Sequence, residues 1–201
     1  MYKLLLSAVV VCWLSSAITN TAQADEMRVG VMVHDAQFFE DLVFGGRHGK
    51  EQSISVTAEY VRDSPEWLSW AMSPMLYAGG SLNLGGKTSH GGAGMMWRYD
   101  LKKNIYFDIG SGLVIHDGAV RTPDPLAGAN VVEVSEFRRR KFTEIEFGSR
   151  VLFRTQFSLG YQLNEKWASE ITFEHLSHGQ ILGGPENEGS NNVGFRVARR
   201  F

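Results

Sequence analysis

The chain has 201 residues, a formal net charge of −2 and one cysteine. This charge excludes a broadly basic protein that binds nucleic acid through its overall charge, and one cysteine excludes a disulfide framework and a cysteine-based metal site. After residue 24, no segment approaches the ~20 consecutive apolar residues of a membrane helix, which excludes a helical inner-membrane protein.

We expect residues 1–24 to be a secretory signal peptide. Lys3 supplies a short positive segment, the run that follows it is mostly apolar, and Ala22-Gln23-Ala24 has the small-x-small pattern of a cleavage site. A membrane anchor is the alternative, but the apolar run is too short for one. The mature domain then spans residues 25–201 without a thiol, because Cys12 lies in the signal peptide. Such a protein is soluble in the periplasm, secreted, or an outer-membrane β-barrel.

Eight strand-like segments make up most of the mature domain. Each reaches or exceeds the ~9–11 residues that a tilted membrane strand requires, whereas strands of soluble sheets are most often ~5–6 residues long. Pro74 interrupts the third segment and leaves two interpretations, a bulge or a strand that begins after Pro74. The segments span residues 27–35, 51–62, 69–82, 88–100, 103–116, 149–162, 166–178 and 191–201.

Polar and apolar side chains alternate along most of these segments. In the seventh segment Trp167, Ile171 and Phe173 share one face, and Glu170 and Glu174 lie on the other. Two carboxylates stand where a water-soluble core would have aliphatic side chains. This inversion is typical of a small membrane barrel, in which lipid lies outside and polar side chains fill the interior.

The connections between the segments alternate in length, as they do in membrane barrels with short periplasmic turns and longer outer loops. Only the Gly85-Gly86 link after the third strand departs from this pattern by being brief. The short links are residues 63–68, 101–102 and 164–165, and the longer ones are residues 36–50, 117–148 and 179–190.

The ends of the strands carry two further signs of a membrane barrel. Aromatic residues such as Trp67, Trp97 and Trp167 fall near strand ends, as girdle residues do. The last strand ends at Phe201 and resembles the assembly signal of bacterial outer-membrane barrels; a soluble edge strand is the alternative. We therefore predict an all-β fold, an eight-stranded antiparallel transmembrane β-barrel in the outer membrane.

The residues that suggest chemistry are His175 and Ser177, at the outer end of the seventh strand. Two positions apart on one strand, they project from the same face, ~6.5–7 Å apart along the backbone. This spacing allows the nucleophile–base relation of a serine hydrolase. On spacing alone, a purely structural pair at the barrel rim is the better interpretation, but titratable groups on a lipid-facing wall are costly unless function retains them.

A histidine base normally has an orienting partner. Asn191 shares the outward parity of the pair, and Glu188 is an acid in the last loop, so either residue is a candidate. The residues after the serine, His178, Gly179 and Gln180, are the candidate donors to an oxyanion.

These residues carry a resemblance to a known family. His175-Leu176-Ser177, followed by Asn187-Glu188-Gly189, resembles the PagL-type lipid A 3-O-deacylases. The resemblance implies an eight-stranded outer-membrane barrel that hydrolyses the ester-linked 3-O-acyl chain of lipid A. It also implies that Ser177 is the nucleophile and His175 the general base. The chain departs from the family pattern at His178, where an asparagine is frequent, and at Asn191, which aligns with the usual acid.

Further expectations concern partners and cofactors. Arg138, Arg139 and Arg140 lie in the longest loop, where guanidinium groups could pair with lipid A phosphates or form an ordinary solvated loop. We expect lipopolysaccharide and the outer membrane as partners, and barrel-assembly machinery that binds the segment ending at Phe201. The sequence does not decide between a monomer and a homodimer. It indicates no nucleic acid, metal or organic cofactor. The alternative functions are lipid A acyl transfer and a non-enzymatic barrel that serves adhesion or envelope integrity.

Overall fold

The computed structural model describes residues 25–36 and 49–201. The predicted signal peptide and most of the first long loop therefore lie outside the described residues. The strands are β1 (Glu26–His34), β2 (Ser53–Arg62), β3 (Met75–Asn83), β4 (His90–Lys102), β5 (Ile105–His116), β6 (Val151–Gln162), β7 (Trp167–Ser177) and β8 (Ser190–Arg200).

Each strand pairs antiparallel with the next, and β1 pairs with β8 to close the barrel. The predicted eight-stranded antiparallel barrel is confirmed. We call the end of the barrel with residues 117–150 and 178–189 the loop end, and the opposite end, where β1 begins and β8 ends, the turn end. Among the described residues, the helices are too short or too polar to span a membrane.

The third strand differs from its prediction. It begins at Met75, immediately after Pro74, so the second of the two interpretations is confirmed, and residues 69–74 are not part of the strand. Residues Glu66–Ala71 instead form a 3₁₀-helix, and Met72 and Ser73 follow with φ of 62° and 50°. Proline lacks the N–H that a central strand must donate, so the ladder starts after it.

The longest loop contains a helix that the strand patterns did not predict. Helix α1 (Val131–Thr143) begins with a capping box: the Asn130 side chain accepts from the Glu133 N–H, and the Glu133 side chain accepts from the Asn130 N–H. This reciprocal pair satisfies two donors that the first helical turn would otherwise leave open. The Asn-x-x-Glu spacing is a signal that could have located the helix.

The two faces of the barrel wall follow the predicted inversion. On β7, Glu170 and Glu174 are each 1 % exposed, whereas Ile171 is 63 % exposed. The buried carboxylates pair with arginines inside the barrel: Arg196 reaches Glu170 at 2.8 Å and Glu59 at 2.9 Å. Buried charges must be paired because the interior offers little water to solvate them. The polar interior is therefore a side-chain network.

The interior becomes apolar near the loop end. Ile145 and Phe147, from the segment that returns from α1 to β6, pack with inward-facing residues of three strands. The strand residues in this cluster are Val114, Leu152 and Leu176. Leu176 lies between His175 and Ser177, so the cluster supports the end of β7 from inside the barrel.

Candidate active site

His175 and Ser177 occupy the outward face of β7 at the loop end. Their inward neighbours Glu174 and Leu176 are buried, and both members of the pair are half-buried. Across the sheet, His175 lies opposite Asn191 of β8, and Ser177 lies opposite Phe153 of β6. The pair is thus part of the outer wall, as its parity predicted.

Asn191 is the residue that contacts the histidine. Its Oδ1 atom lies 2.7 Å from Nδ1 of His175. A carbonyl oxygen only accepts, so the imidazole must carry its proton on Nδ1 and keep a lone pair on Nε2. The amide therefore selects the tautomer in which Nε2 can act as a base. Direct pairing of the two residues in the β7–β8 register produces this contact.

Glu188 is held elsewhere. Lys50 donates to its two carboxylate oxygens at 2.5 and 2.7 Å, and the N–H of Glu146 donates to Oε2 at 2.8 Å. Of the two candidate partners, the structure thus brings Asn191 to the imidazole, while Glu188 links three loops.

Gly189 lies directly against the pair. A Cβ atom added there would be 3.3 Å from Cε1 of His175 and 3.7 Å from Cβ of Ser177. Its φ of 63° is in the left-handed region, which favours glycine. A side chain at residue 189 would therefore be strained by the backbone conformation and would press against the His175 ring.

The turn after Ser177 presents a mixture of bound and available N–H groups. The N–H of His178 donates to Oδ1 of Asn187 at 3.1 Å, so this candidate donor is used within the protein. Gly179 and Gln180 both have positive φ, 62° and 58°. The hydrogen bonds that close the turn come from other N–H groups, those of Ile181 and Leu182.

The three arginines lie on α1, outside the barrel. Arg139 pairs with Glu136 at 2.6 Å and Arg140 with Glu144 at 3.1 Å, whereas Arg138 is exposed. Ion pairs on an exposed helix are weak and exchange readily with other anions.

Glu51 cross-links the loop end, a role that the sequence patterns did not indicate. It is buried and contacts the His34 ring, the N–H of Thr88 and the N–H of Ile145. Burial alone raises the pKa of Glu51, but the hydrogen bonds of these three partners outweigh it and lower the pKa to about 2. No local pattern marks such a residue, because its partners come from three distant segments.

A known protein family matches most of the chain. The family model described as lipid A 3-O-deacylase (PagL) matches residues 52–200. No curated protein matches the chain.

Among solved structures, the crystal structure of the outer membrane enzyme PagL is similar, with a TM-score of 0.55 and 12 % identity over 86 % of this chain and 97 % of that one. A de novo designed transmembrane β-barrel has a TM-score of 0.49 and 7 % identity over 92 % of this chain and 100 % of that one. The N-terminal β-barrel domain of Pseudomonas aeruginosa OprF has a TM-score of 0.48 and 7 % identity over 89 % and 99 %.

Proposed function

The chain belongs to the lipid A 3-O-deacylase (PagL) family, and from this premise we propose that Ser177 and His175 hydrolyse the ester that holds the 3-O-acyl chain of lipid A. At the level of the family, the protein is an outer-membrane β-barrel of the lipid A deacylases. The serine mechanism and its residue roles are our proposal.

The reaction that we propose has two steps through an acyl-enzyme. Nε2 of His175 takes the proton of the Ser177 hydroxyl while Oγ attacks the ester carbonyl carbon. The tetrahedral intermediate collapses, the bond between the acyl carbon and the 3-oxygen of the sugar breaks, and His175 gives the proton to that departing oxygen, which leaves as the 3-hydroxyl. Water, activated by the same imidazole, then attacks the acyl–serine ester and releases the fatty acid.

The observation that carries this proposal is the contact between Nδ1 of His175 and Oδ1 of Asn191 at 2.7 Å. It supports a base whose free lone pair lies on Nε2, the atom that must accept the serine proton. An amide can hold this tautomer, as in Cys-His-Asn enzymes, but it supplies no negative charge to the imidazolium. We therefore propose Asn191 as the orienting partner in place of Glu188.

The remaining candidate groups have subsidiary roles in the proposal. The N–H groups of Gly179 and Gln180 would donate to the oxyanion, because they take no part in closing the turn. The exposed Arg138 would meet a lipid A phosphate, together with Arg139 and Arg140 after they exchange their carboxylate partners. Because the pair lies on the outer wall, the substrate would approach from within the membrane.

The test is the structure of lipid A in cells that make the protein. We expect wild-type cells to lose one hydroxyacyl chain from lipid A, and cells with Ser177→Ala or His175→Ala to keep it, measured by mass spectrometry. Ser169→Ala is the matched control, because Ser169 lies on the same outward face of β7. It should deacylate like wild type.

Two results would contradict the proposal. An added acyl chain that depends on Ser177 would indicate an acyltransferase. Unchanged lipid A with a correctly folded wild-type barrel would indicate a non-enzymatic role in adhesion or envelope integrity.

A further inference from the structure

His178 is fully buried in a turn whose other residues are exposed. Its side chain is 0 % exposed, whereas Gly179, Gln180 and Ile181 are open to solvent. Of its two ring nitrogens, Nε2 has a hydrogen-bond partner within the protein, whereas the buried Nδ1 has none among the described residues.

Hydrogen bonds of His178 stabilise this turn. They are made by its backbone N–H, its carbonyl oxygen and one ring nitrogen. Its N–H donates to Oδ1 of Asn187 at 3.1 Å, and its Nε2 lies 2.6 Å from the carbonyl oxygen of Glu186. Its carbonyl oxygen accepts from the N–H groups of Ile181 and Leu182 at 3.1 and 3.3 Å. The residue thus joins the end of β7 to the loop that leads back to β8.

The segment between α1 and β6 completes this contact. A Cβ atom added at Gly148 would lie 2.7 Å from Nε2 of His178. It would also overlap the carbonyl oxygen of Glu186, at a distance of 1.8 Å. The N–H of Gly184 also donates to the Gly148 carbonyl oxygen at 3.0 Å. The imidazole is therefore held where three segments of the loop end meet.

We propose that His178 is a positioning residue for the deacylation reaction. It holds the turn after Ser177 so that the N–H groups of Gly179 and Gln180 point to the oxyanion, and it holds Gly189 against His175. This inference rests on the proposed function. It assigns to His178 a role through its neighbours, in place of direct donation to the substrate.

The length of the imidazole is the reason that this residue type suits the role. The donor to Glu186 is Nε2. The amide nitrogen of an asparagine side chain extends from the backbone only as far as Nδ1 of histidine and would not reach Glu186. A glutamine amide extends as far as Nε2 and can donate the same hydrogen bond. The hydrogen bond to Glu186 is therefore available to histidine and glutamine but not to phenylalanine, whose aromatic ring has no donor.

The test measures kcat and KM for 3-O-deacylation by the full mature chain in vesicles that contain lipopolysaccharide. We expect His178→Phe to lower kcat about 10- to 100-fold through misplaced reacting groups, with KM within about threefold, because substrate binding is retained. His178→Gln should keep kcat within about fivefold of wild type, because it restores the donor.

His116→Phe is the matched control. His116 is also buried at a strand end, and its Nε2 lies 2.7 Å from the carbonyl oxygen of Ser149. The His116→Phe variant loses the same kind of hydrogen bond, but residue 116 does not contact the turn after Ser177. Its kcat should therefore stay within about twofold of wild type. Gly148→Ala disturbs the same contact from the other side and should reproduce the kcat loss of His178→Phe, which keeps the test available if that variant does not fold.

Three outcomes overturn the inference. They are an unchanged kcat in both His178→Phe and Gly148→Ala, a kcat in a folded His178→Gln variant as low as that of His178→Phe, or an equal loss in His116→Phe. An inactive wild-type enzyme would instead refute the proposed function itself.

Discussion

In the proposed mechanism, the amide of Asn191 takes the place of the carboxylate that serine hydrolases usually have. Its oxygen accepts from Nδ1 of His175 at 2.7 Å and so selects the tautomer. A carboxylate would also stabilise the imidazolium that would form when Ser177 loses its proton. The proposed site thus has an orienting partner without negative charge, and the effect of this difference on kcat is measurable.

We expect Asn191→Asp to raise kcat about tenfold. The added carboxylate stabilises the imidazolium that would form in the transition state, which an amide cannot do. Glu188→Gln is the control and should not raise kcat. A large loss of kcat in Glu188→Gln, with no gain in Asn191→Asp, would identify Glu188 as the orienting group.

The connecting elements at the loop end form one unit. Lys50 and Glu51 are adjacent in the chain, yet Lys50 bonds Glu188 of the last loop, while Glu51 bonds Thr88 and Ile145 of two others. Because Glu188 precedes Gly189, this cross-linking reaches the His175–Ser177 pair. Loops held by such contacts provide a rigid support for the site.

Acid should loosen this unit through Glu51. Its pKa is about 2 in the folded protein, below the ordinary value of 4.5, so its contribution to stability is complete above pH 4.5 and is lost as the pH falls toward 2. Protease cleavage of the loops in the folded barrel should therefore rise over that range. Glu51→Gln should cleave at a rate that depends little on pH. Equal pH dependence in the variant and the wild type would contradict this role.

The 3₁₀-helix at the turn end belongs to the outer wall. The indole N–H of Trp97, an outward residue of β4, donates to the carbonyl oxygen of Ala71 at 3.0 Å. Trp67 and Trp70 are exposed beside it. The aromatic girdle, in which indole rings such as that of Trp67 lie at the membrane–water interface, stays a prediction.

At the scale of the whole molecule, stability depends on a paired interior. Arg196 binds Glu59, Glu170 and the hydroxyl of Ser158, which come from three other strands. One guanidinium thus connects β2, β6, β7 and β8 across the lumen. Removing it leaves two buried carboxylates with fewer partners.

We expect Arg196→Met to lower the free energy of unfolding of the barrel by about 3–5 kcal/mol, the usual cost of removing one partner of a buried ion pair. Urea unfolding in vesicles, followed by the mobility difference between folded and unfolded barrel, measures this change. Arg199→Met is the control: Arg199 lies on the exposed face near Trp167, and its loss should change the free energy by less than about 1 kcal/mol. Similar losses in both variants would argue against a special role of the interior network.

The sequence alone determined the barrel, the two faces of its wall and the position of His175 and Ser177. Alternation of side chains is a local property of a strand, and every predicted boundary lies within two residues of the observed one except the start of β3. There Pro74 left two interpretations, and the ladder begins after it. The helix α1 was missed although its capping signal was present in the chain.

The groups that surround the pair follow from the tertiary structure and could not be read from the sequence. The β7–β8 register places Asn191 opposite His175. Glu188 binds Lys50, which is distant in the chain, and does not contact the imidazole. The bond from His178 to Glu186, at the contact with Gly148, likewise depends on how loops of different lengths pack. Strand periodicity fixes the direction in which a side chain points, whereas its partners depend on long-range register and loop packing, which no local pattern encodes.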